Sequence, residues 1–415
     1  MPFVNMAKAA ARPSDLKLNN RAQILELFKS GDAYSVGEIA DRVGISRQTV
    51  MKSILYFLEK GIIESVGKAA AGSMGGKRAE LFALSADRYL CRVLICPNKL
   101  ITTLISFRCE VICTLTREMP VSTSVEELID AAAVCIEASI DDKGLSFDCL
   151  YGVCVAIPGF IDRETNRLVF NTVPSEWGRD IPIGDMISDR LRGVRVILES
   201  IGRLCGRAVA QSGPYTNERI LTLFGGWGNI ASSFMDHGVP VDGKGCLTGE
   251  IGHMVIEPTD DEVCGCGMRG CFERQVCPER LQRMIAEHAD DHPDSCLTGA
   301  VDEPIPITRV FGASAAGDAL ARMISSYVGN VFGQVLYDLL PVFGQDTVIL
   351  QGDLAEMDDR FSDAVFDYMK DSRCMPSDGI RPFELKSDRR PFEELTTIGA
   401  YALLIDELFG TPADT

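Results

Sequence analysis

Two hydrophobic periodicities divide the chain. Over residues 1–90 apolar positions recur at helical spacing. Ile24, Leu25 and Phe28 share one face of Asn20–Lys29, and Val50, Ile54, Phe57 and Leu58 share one face of Arg47–Lys60. Ser35-Val36-Gly37-Glu38 is a capping-box pattern that opens a helix running through Val43. Gly44-Ile45 supplies a tight turn, Ser46 the N-cap of the next helix and Gly61 its end. Helix, short glycine turn, helix is the helix-turn-helix arrangement. Ile62–Gly67 and Glu80–Leu84 read as paired strands joined by a Gly- and Ala-rich tip, Lys68–Arg78, so the segment is a winged helix.

From about Tyr89 short apolar runs alternate with helical stretches, which predicts an α/β body. The strands are Arg92–Ile95, Leu100–Phe107, Val111–Thr116, Leu150–Ala156, Val194–Leu198 and Thr347–Gly352. The helices are Ser124–Ala138, Ala315–Leu340, Phe361–Lys370 and Phe392–Leu408. Pro376, Gly379 and Pro382 make Arg373–Lys386 a surface loop.

Composition changes the picture little. Forty-six per cent apolar and 24 % charged residues in 415 are ordinary for a soluble globular chain of two or three domains. Fifteen cysteines without disulfide-framework spacing suit a reducing compartment. The N-terminus lacks the apolar core of a signal peptide, and the least polar stretch, Ser326–Gly344, contains Asp338 and Pro341. A buried helix is expected there, no membrane contact, and a cytoplasmic location.

Charge adds more. The net charge is −18, yet residues 1–90 carry 13 Lys+Arg against 9 Asp+Glu, a surplus of four, which leaves −22 on the remaining 325. A mildly basic head on an acidic body suggests separate tasks. The third helix presents Arg47, Gln48, Thr49 and Lys52 near its N-terminal end, the part of a recognition helix that reaches base edges. Lys77 and Arg78 in the wing tip suit phosphate contact. Double-stranded operator DNA is the expected partner. Such readers commonly pair on palindromic half-sites, so a homodimer or a dimer of dimers is expected.

The densest chemistry lies at Gly249–Glu273, reading G-E-I-G-H-M-V-I-E-P-T-D-D-E-V-C-G-C-G-M-R-G-C-F-E. His253, Cys264, Cys266 and Cys271 make a complete tetrahedral ligand set for a structural zinc, with glycines between the thiols that let the backbone fold around one ion. Cys277, just beyond, is an alternative ligand.

G-E-I-G-H followed by C-G-C-G-x-x-G-C-x-E resembles the signature of the ROK family, whose members are sugar kinases and sugar-responsive repressors. The resemblance implies a two-lobed, ribonuclease-H-like and actin-like body behind the winged helix. It would divide the chain into a DNA-binding domain (1–85), a first lobe (86–200, with the return of 390–415) and a second lobe with the zinc motif (201–389). It implies that Glu250, His253 and Glu273 face a sugar, with Asn171 beside them; alternatively the two carboxylates only anchor the metal loop.

Three departures from the family's kinases bear on activity. Where kinases have D-x-G-G-T, this chain has Leu94–Leu100 with Pro97 and no glycine. Where they have E-N-D-A-N, with the Asp as base, it has Glu199-Ser200-Ile201-Gly202-Arg203, which places Ile201 at the base position. The second phosphate loop reads Phe224–Ile230, with Phe224 and Ile230 replacing the outer glycines. Glu199 is expected to share a strand face with Ile201, and Arg203 could admit an anionic ligand. The combined expectation is a transcriptional regulator of the repressor kind in carbohydrate metabolism, not an enzyme, sensing a sugar or sugar derivative. The alternative is an ATP-dependent sugar kinase with an appended DNA-binding head.

Overall fold

The computed structural model describes residues 13–28, 31–69, 78–171, 177–212, 215, 217–241, 243, 245–299, 304–370, 372 and 381–410. The N-terminal head comprises α1 (Pro13–Phe28), β1 (Tyr34–Ser35), α2 (Val36–Val43), α3 (Arg47–Glu59), β2 (Ile63–Lys68) and β3 (Glu80–Leu84). The capping box at α2 is complete: the Ser35 Oγ accepts from the Glu38 N–H at 3.3 Å, and Glu38 Oε2 accepts from the Ser35 N–H at 2.8 Å. The Ser35 N–H and the Ser35 hydroxyl, both donating to Glu38 Oε2, hold that carboxyl below its usual range. Gly44 turns the chain at φ +74, and Ser46 caps α3 through the Thr49 N–H at 3.2 Å. Ile24, Leu25 and Phe28 of α1 are buried with Ile39, Val50, Ile54 and Phe57. β3 pairs antiparallel with both β1 and β2, which gives the wing its sheet.

Two five-stranded mixed sheets follow. The first contains β4 (Tyr89–Ile95), β5 (Lys99–Ser106), β6 (Val111–Glu118), β7 (Leu150–Ile157) and β11 (Val196–Ser200), in the order β11-β7-β4-β5-β6. Its helices are α4 (Val125–Asp141) and α5 (Ile183–Arg190), a small sheet of β8 (Phe160–Asp162), β9 (Arg167–Phe170) and β10 (Arg179–Ile181) lies beside it, and α6 (Ile201–Ser212) leads on to the second sheet, against which it packs. The second contains β12 (Arg219–Gly226), β13 (Asn229–Asp236), β14 (Val239–Pro240), β15 (Thr347–Gly352) and β16 (Glu384–Asp388), in the order β14-β13-β12-β15-β16. Around it lie α7 (Phe272–Val276), α8 (Pro278–His288), α9 (Ile307–Ala315), α10 (Ala319–Leu339) and α11 (Asp359–Met369). The last helix, α12 (Phe392–Gly410), packs on the first sheet.

Strand alternation explains how the first sheet is covered. Val153 and Val155 of β7, with Cys91 and Val93 of β4, enter one apolar cluster with α4. Cys154 and Ala156, with Leu90 and Leu94, enter another with α12. Both faces are buried, so β7 reads as an almost unbroken apolar run. Arg92 is buried on the α12 side, donating to Thr396 Oγ1 at 2.8 Å and Thr103 Oγ1 at 2.5 Å.

Three expectations need correction. The long helix expected over 315–340 is present but begins at Ala319, because Ala315 ends the separate helix α9, the chain turns at Ala316–Gly317 and Asp318 caps α10 through the Ala321 N–H. The surface loop expected over Arg373–Lys386 ends in a strand, Glu384–Asp388, paired parallel with β15; residues 373–380 lie outside the described residues. The strand expected at Val194–Leu198 runs from Val196 to Ser200 and Ile201 already opens α6, so strand alternation cannot relate Glu199 to Ile201. No helix among the described residues is long and apolar enough to cross a membrane.

Candidate functional site

One loop gathers the metal donors. After β14 the chain forms a short turn of 3₁₀ helix at Ile251–His253, and bridges Val255 to Cys271 and Val263 to Arg269 close the segment on itself. Gly270 at φ +68 lies against the carbonyl of Glu257, where any Cβ would collide. Phe272 then enters the core, 4.9 Å from the ring of Phe332 on α10. Arg274 and Arg283 both pair with Glu262 and fix the far side of the loop to α8.

The donor atoms of His253, Cys264, Cys266 and Cys271 all lie within 4.8 Å of one another. Cys266 Sγ is 3.6 Å from Cys271 Sγ, and Cys264 Sγ is 3.5 Å from His253 Nδ1. A tetrahedron with Zn–S bonds of about 2.3 Å has edges of about 3.8 Å, so the residues present fit that ion. Burial pushes the Cys264 and Cys271 thiols up, Cys271 to about 11, and a divalent cation is the kind of charge that releases such protons. Cys277 does not join the group; its thiol donates to the Arg274 carbonyl at 3.3 Å.

His253 of the metal cluster also lines a cavity of about 340 Å³ between the two sheets. Asn171, Glu250, His253 and Glu273 line it, with Ser200 and Asn229 supplying further polar groups. Glu273 Oε1 lies 3.2 Å from Cys264 Sγ and 3.4 Å from His253 Nδ1, so this carboxylate abuts both the metal donors and the cavity. The His253 ring stacks at a tilt on Phe160, 5.0 Å between centroids. Burial pushes the Glu250 carboxyl up to about 7; Arg203 opposes the shift, while Glu273 and Glu199 add to it. Buried carboxyls and an imidazole in a mainly apolar cavity can exchange hydrogen bonds with hydroxyl groups.

The rest of the lining is mainly apolar, with Pro97, Ile157, Ile201, Phe224, Trp227 and Ile230; Ile230 lies beside Gly252 and Glu273, and the Asn229 amide donates to the Trp227 carbonyl at 3.2 Å. Trp227, at φ 51 in the turn between β12 and β13, makes an edge-to-face contact with Phe392 at 5.3 Å. Phe224 lies 6.2 Å from the same ring. Phe392 opens α12, remote in sequence from the cavity wall it supports, and carries no local pattern that marks it.

Two charged residues fall elsewhere than expected. Glu199 is fully buried, with Oε2 3.3 Å from Arg163 Nε and Oε1 3.6 Å from Arg203 Nη1. Arg203 is thereby engaged, and it also donates to the Thr248 carbonyl at 3.3 Å. Neither lines the cavity.

On the head, Arg47, Gln48 and Lys52 are exposed, with the Arg47 guanidinium over Gly37, and Thr49 is half-buried, its hydroxyl 2.9 Å from that of Ser46. Met51 and Leu55, at 42 % and 58 % exposure, share the outward side of α3 and were not singled out from the sequence because apolar helix positions read as core. Arg78 is exposed; Lys77 lies outside the described residues.

The ROK family model matches residues 99–391, well over half of the chain, and a model described as the helix-turn-helix domain of resolvase matches residues 12–52. A glucokinase of Halalkalibacterium halodurans is 25 % identical over 217 residues, 51 % of this chain and 63 % of that protein, so the chain spans less than two thirds of that relative's length. The DNA-binding transcriptional repressor Mlc of Escherichia coli is 19 % identical over 403 residues, 95 % of this chain and 94 % of that protein. A crystal structure described as a ROK family transcriptional regulator, homologous to the same Mlc protein, superposes with a TM-score of 0.79 at 17 % identity, covering 95 % of this chain and 97 % of the other. The fold is thus mixed α/β, a helix-turn-helix head on an actin-like body.

Proposed function

Because this chain belongs to the ROK family, we propose that it is a DNA-binding transcriptional regulator of the repressor kind, and that its cavity takes a sugar or sugar derivative as effector. The head would read operator DNA through Arg47, Gln48, Thr49 and Lys52 in the major groove, with Lys77 and Arg78 on phosphates. Asn171, Glu250, His253 and Glu273 would hold the sugar hydroxyls. A structural zinc on His253, Cys264, Cys266 and Cys271 would brace that wall and, when bound, supply only charge and geometry. Pairing of two chains, with heads on two half-sites, completes the proposal, in a cytoplasmic setting.

The observation that carries this reading is a continuous apolar core from cavity to head. Ile201 and Phe224 line the cavity and belong to the same buried cluster as Leu395, Tyr401 and Leu404 of α12 and Ile24, Leu25 and Phe28 of α1. The Tyr401 hydroxyl donates to the Phe107 carbonyl at 2.8 Å, and α12 packs against α1. A ligand that moves Trp227 or Phe224 would press on Phe392 and so on α12, the element against which the head rests. Such contiguity gives a route, and an energetic coupling of about 1–3 kcal/mol is what it would have to carry.

Phosphoryl transfer fits poorly with the same residues. It depends on groups that position and neutralise phosphates. The cavity has Ile201 where the family's resemblance places a base, and no Lys or Arg among the described residues that line it. A promoter-binding titration and a coupled ATP-turnover assay on a hexose, pentose and amino-sugar panel separate the two readings. Specific duplex binding without turnover supports the regulator, and clear turnover overturns it.

A further inference from the structure

Two parts of the cavity wall differ in chemistry, and a ligand that satisfies both has to be two-sided. The part beside the metal loop offers two carboxyls, an imidazole and an amide. The wall around Trp227 offers the paired rings of Phe224 and Trp227 and the alkyl chain of Ile201, and the one amide beside it, Asn229, is engaged by the Trp227 carbonyl at 3.2 Å. Trp227 is 44 % exposed yet is not a loose surface ring. It stands at a positive φ rarely tolerated by a bulky residue, and Phe392 and Phe224 hold it there with centroids at 5.3 and 6.3 Å. A free monosaccharide carries hydroxyls around its whole ring. Those turned towards Ile201 and Phe224 would leave water for a wall that cannot hydrogen-bond them.

Charge narrows the class further. The described lining residues contain two carboxyls and no Lys or Arg. Arg203, two residues beyond Ile201, is engaged by Glu199 and the Thr248 carbonyl. A phosphate or carboxylate on the ligand would therefore meet two carboxyls on the wall, and the nearby Arg203, which already answers Glu199 and acts on Glu250, does not reach the cavity surface.

We propose that the effector is an uncharged glycoside, with its sugar on Asn171, Glu250, His253 and Glu273 and an aryl or alkyl aglycone against Trp227, Phe224 and Ile201. This rests on the reading of the cavity as the effector site and names the class of compound it takes. A volume of about 340 Å³ is at the small end of the range for small-molecule sites, roughly 300–1,000 Å³, which suits one sugar ring with one compact substituent. An aryl group has a natural partner in Trp227, since offset or edge-on ring pairs are favoured.

Calorimetric titration of the full-length chain tests this with matched ligands: free hexoses, pentoses and amino sugars, the phenyl glycoside of each, and the phosphate ester of each hexose. The expected result is at least one phenyl glycoside binding tenfold or more tightly than its parent sugar. Trp227→Asn, whose new residue tolerates the left-handed backbone, should bring that ratio close to one while the parent sugar binds it as tightly as it binds wild type. A second variant, Phe224→Leu, should lower the ratio without adding a polar group. A parent sugar that binds as tightly as its glycoside overturns the inference and leaves a sugar effector standing, as does a phosphate ester that binds most tightly. If no sugar or glycoside binds, the effector reading falls with it.

Discussion

Replacing Cys266 by serine separates the metal from the packing around it. Cys264 and Cys271 are 2 % and 0 % exposed, so changing either disturbs the core as well. Cys266 is only half-buried, and its sulfur lies 3.6 Å from that of Cys271, close to the edge of about 3.8 Å that tetrahedral Zn–S bonding requires. The substitution therefore removes one corner of a well-fitting set and little else. Disturbing a group that merely supports a ligand costs about 10–100-fold in metal affinity; removing a ligand should cost at least the upper figure. A hundredfold loss lowers the stabilisation by bound metal by about 2.7 kcal/mol when free metal exceeds both dissociation constants. For a lobe of this size, each kcal/mol moves the melting temperature by about 2–4 °C, so a fall of roughly 5–11 °C is expected. Mass spectrometry of the desalted protein should find about one zinc per wild-type chain and only a small fraction of that in Cys266→Ser. Cys277→Ser is the control. That thiol is buried and donates to the Arg274 carbonyl, so the change should lower stability yet leave zinc at wild-type content. Full zinc and unaltered melting in Cys266→Ser, or metal loss from Cys277→Ser instead, would refute the four-residue site.

The remaining predictions concern the head and its link to the cavity. Arg47→Ala should weaken operator binding by about 1–3 kcal/mol and relax preference at one base position, read by anisotropy against a panel of single-base variants. Arg78→Ala should weaken all duplexes alike and reduce the slope of log K against log salt by about 0.9. A slope equal to wild type would remove Arg78 from the phosphate contacts. Phe392→Ala deletes ring contacts to Trp227 and Phe224, each worth about 0.5–1.5 kcal/mol. Ligand should still bind that variant in calorimetry but shift its DNA affinity much less; an undiminished shift would exclude α12 as the link.

Much of this was legible locally. The capping residues Ser35 and Ser46 and the turn at Gly44 each act within four residues, and the structure shows them doing so. The metal motif is equally local, because the short spacing of its thiols and glycines leaves few ways to fold. What the sequence hid depends on distant partners. Glu199 was read by strand alternation, but the helix begins at Ile201 and the carboxylate is enclosed by Arg163 and Arg203. β16 is a charged edge strand, E-L-K-S-D, whose identity comes from pairing with β15 rather than from its own apolar pattern. The long helix over 315–340 starts only at Ala319, because Gly317 and the capping Asp318 interrupt an apolar period that runs on from α9. Phe392 supports a cavity wall built mostly from residues 157–273, a contact that no periodicity announces.

The most direct test of the account is the affinity of the full-length chain for duplex fragments of its neighbouring promoters, measured by anisotropy at fixed low salt across a titration of the tightest-binding glycoside or sugar. The account predicts specific binding to one fragment and a shift in Kd of about 5–150-fold at saturating ligand, matched by the same factor in ligand affinity when DNA is saturating. Duplex affinity that is indifferent to sequence, or a Kd that does not move with ligand, would contradict it.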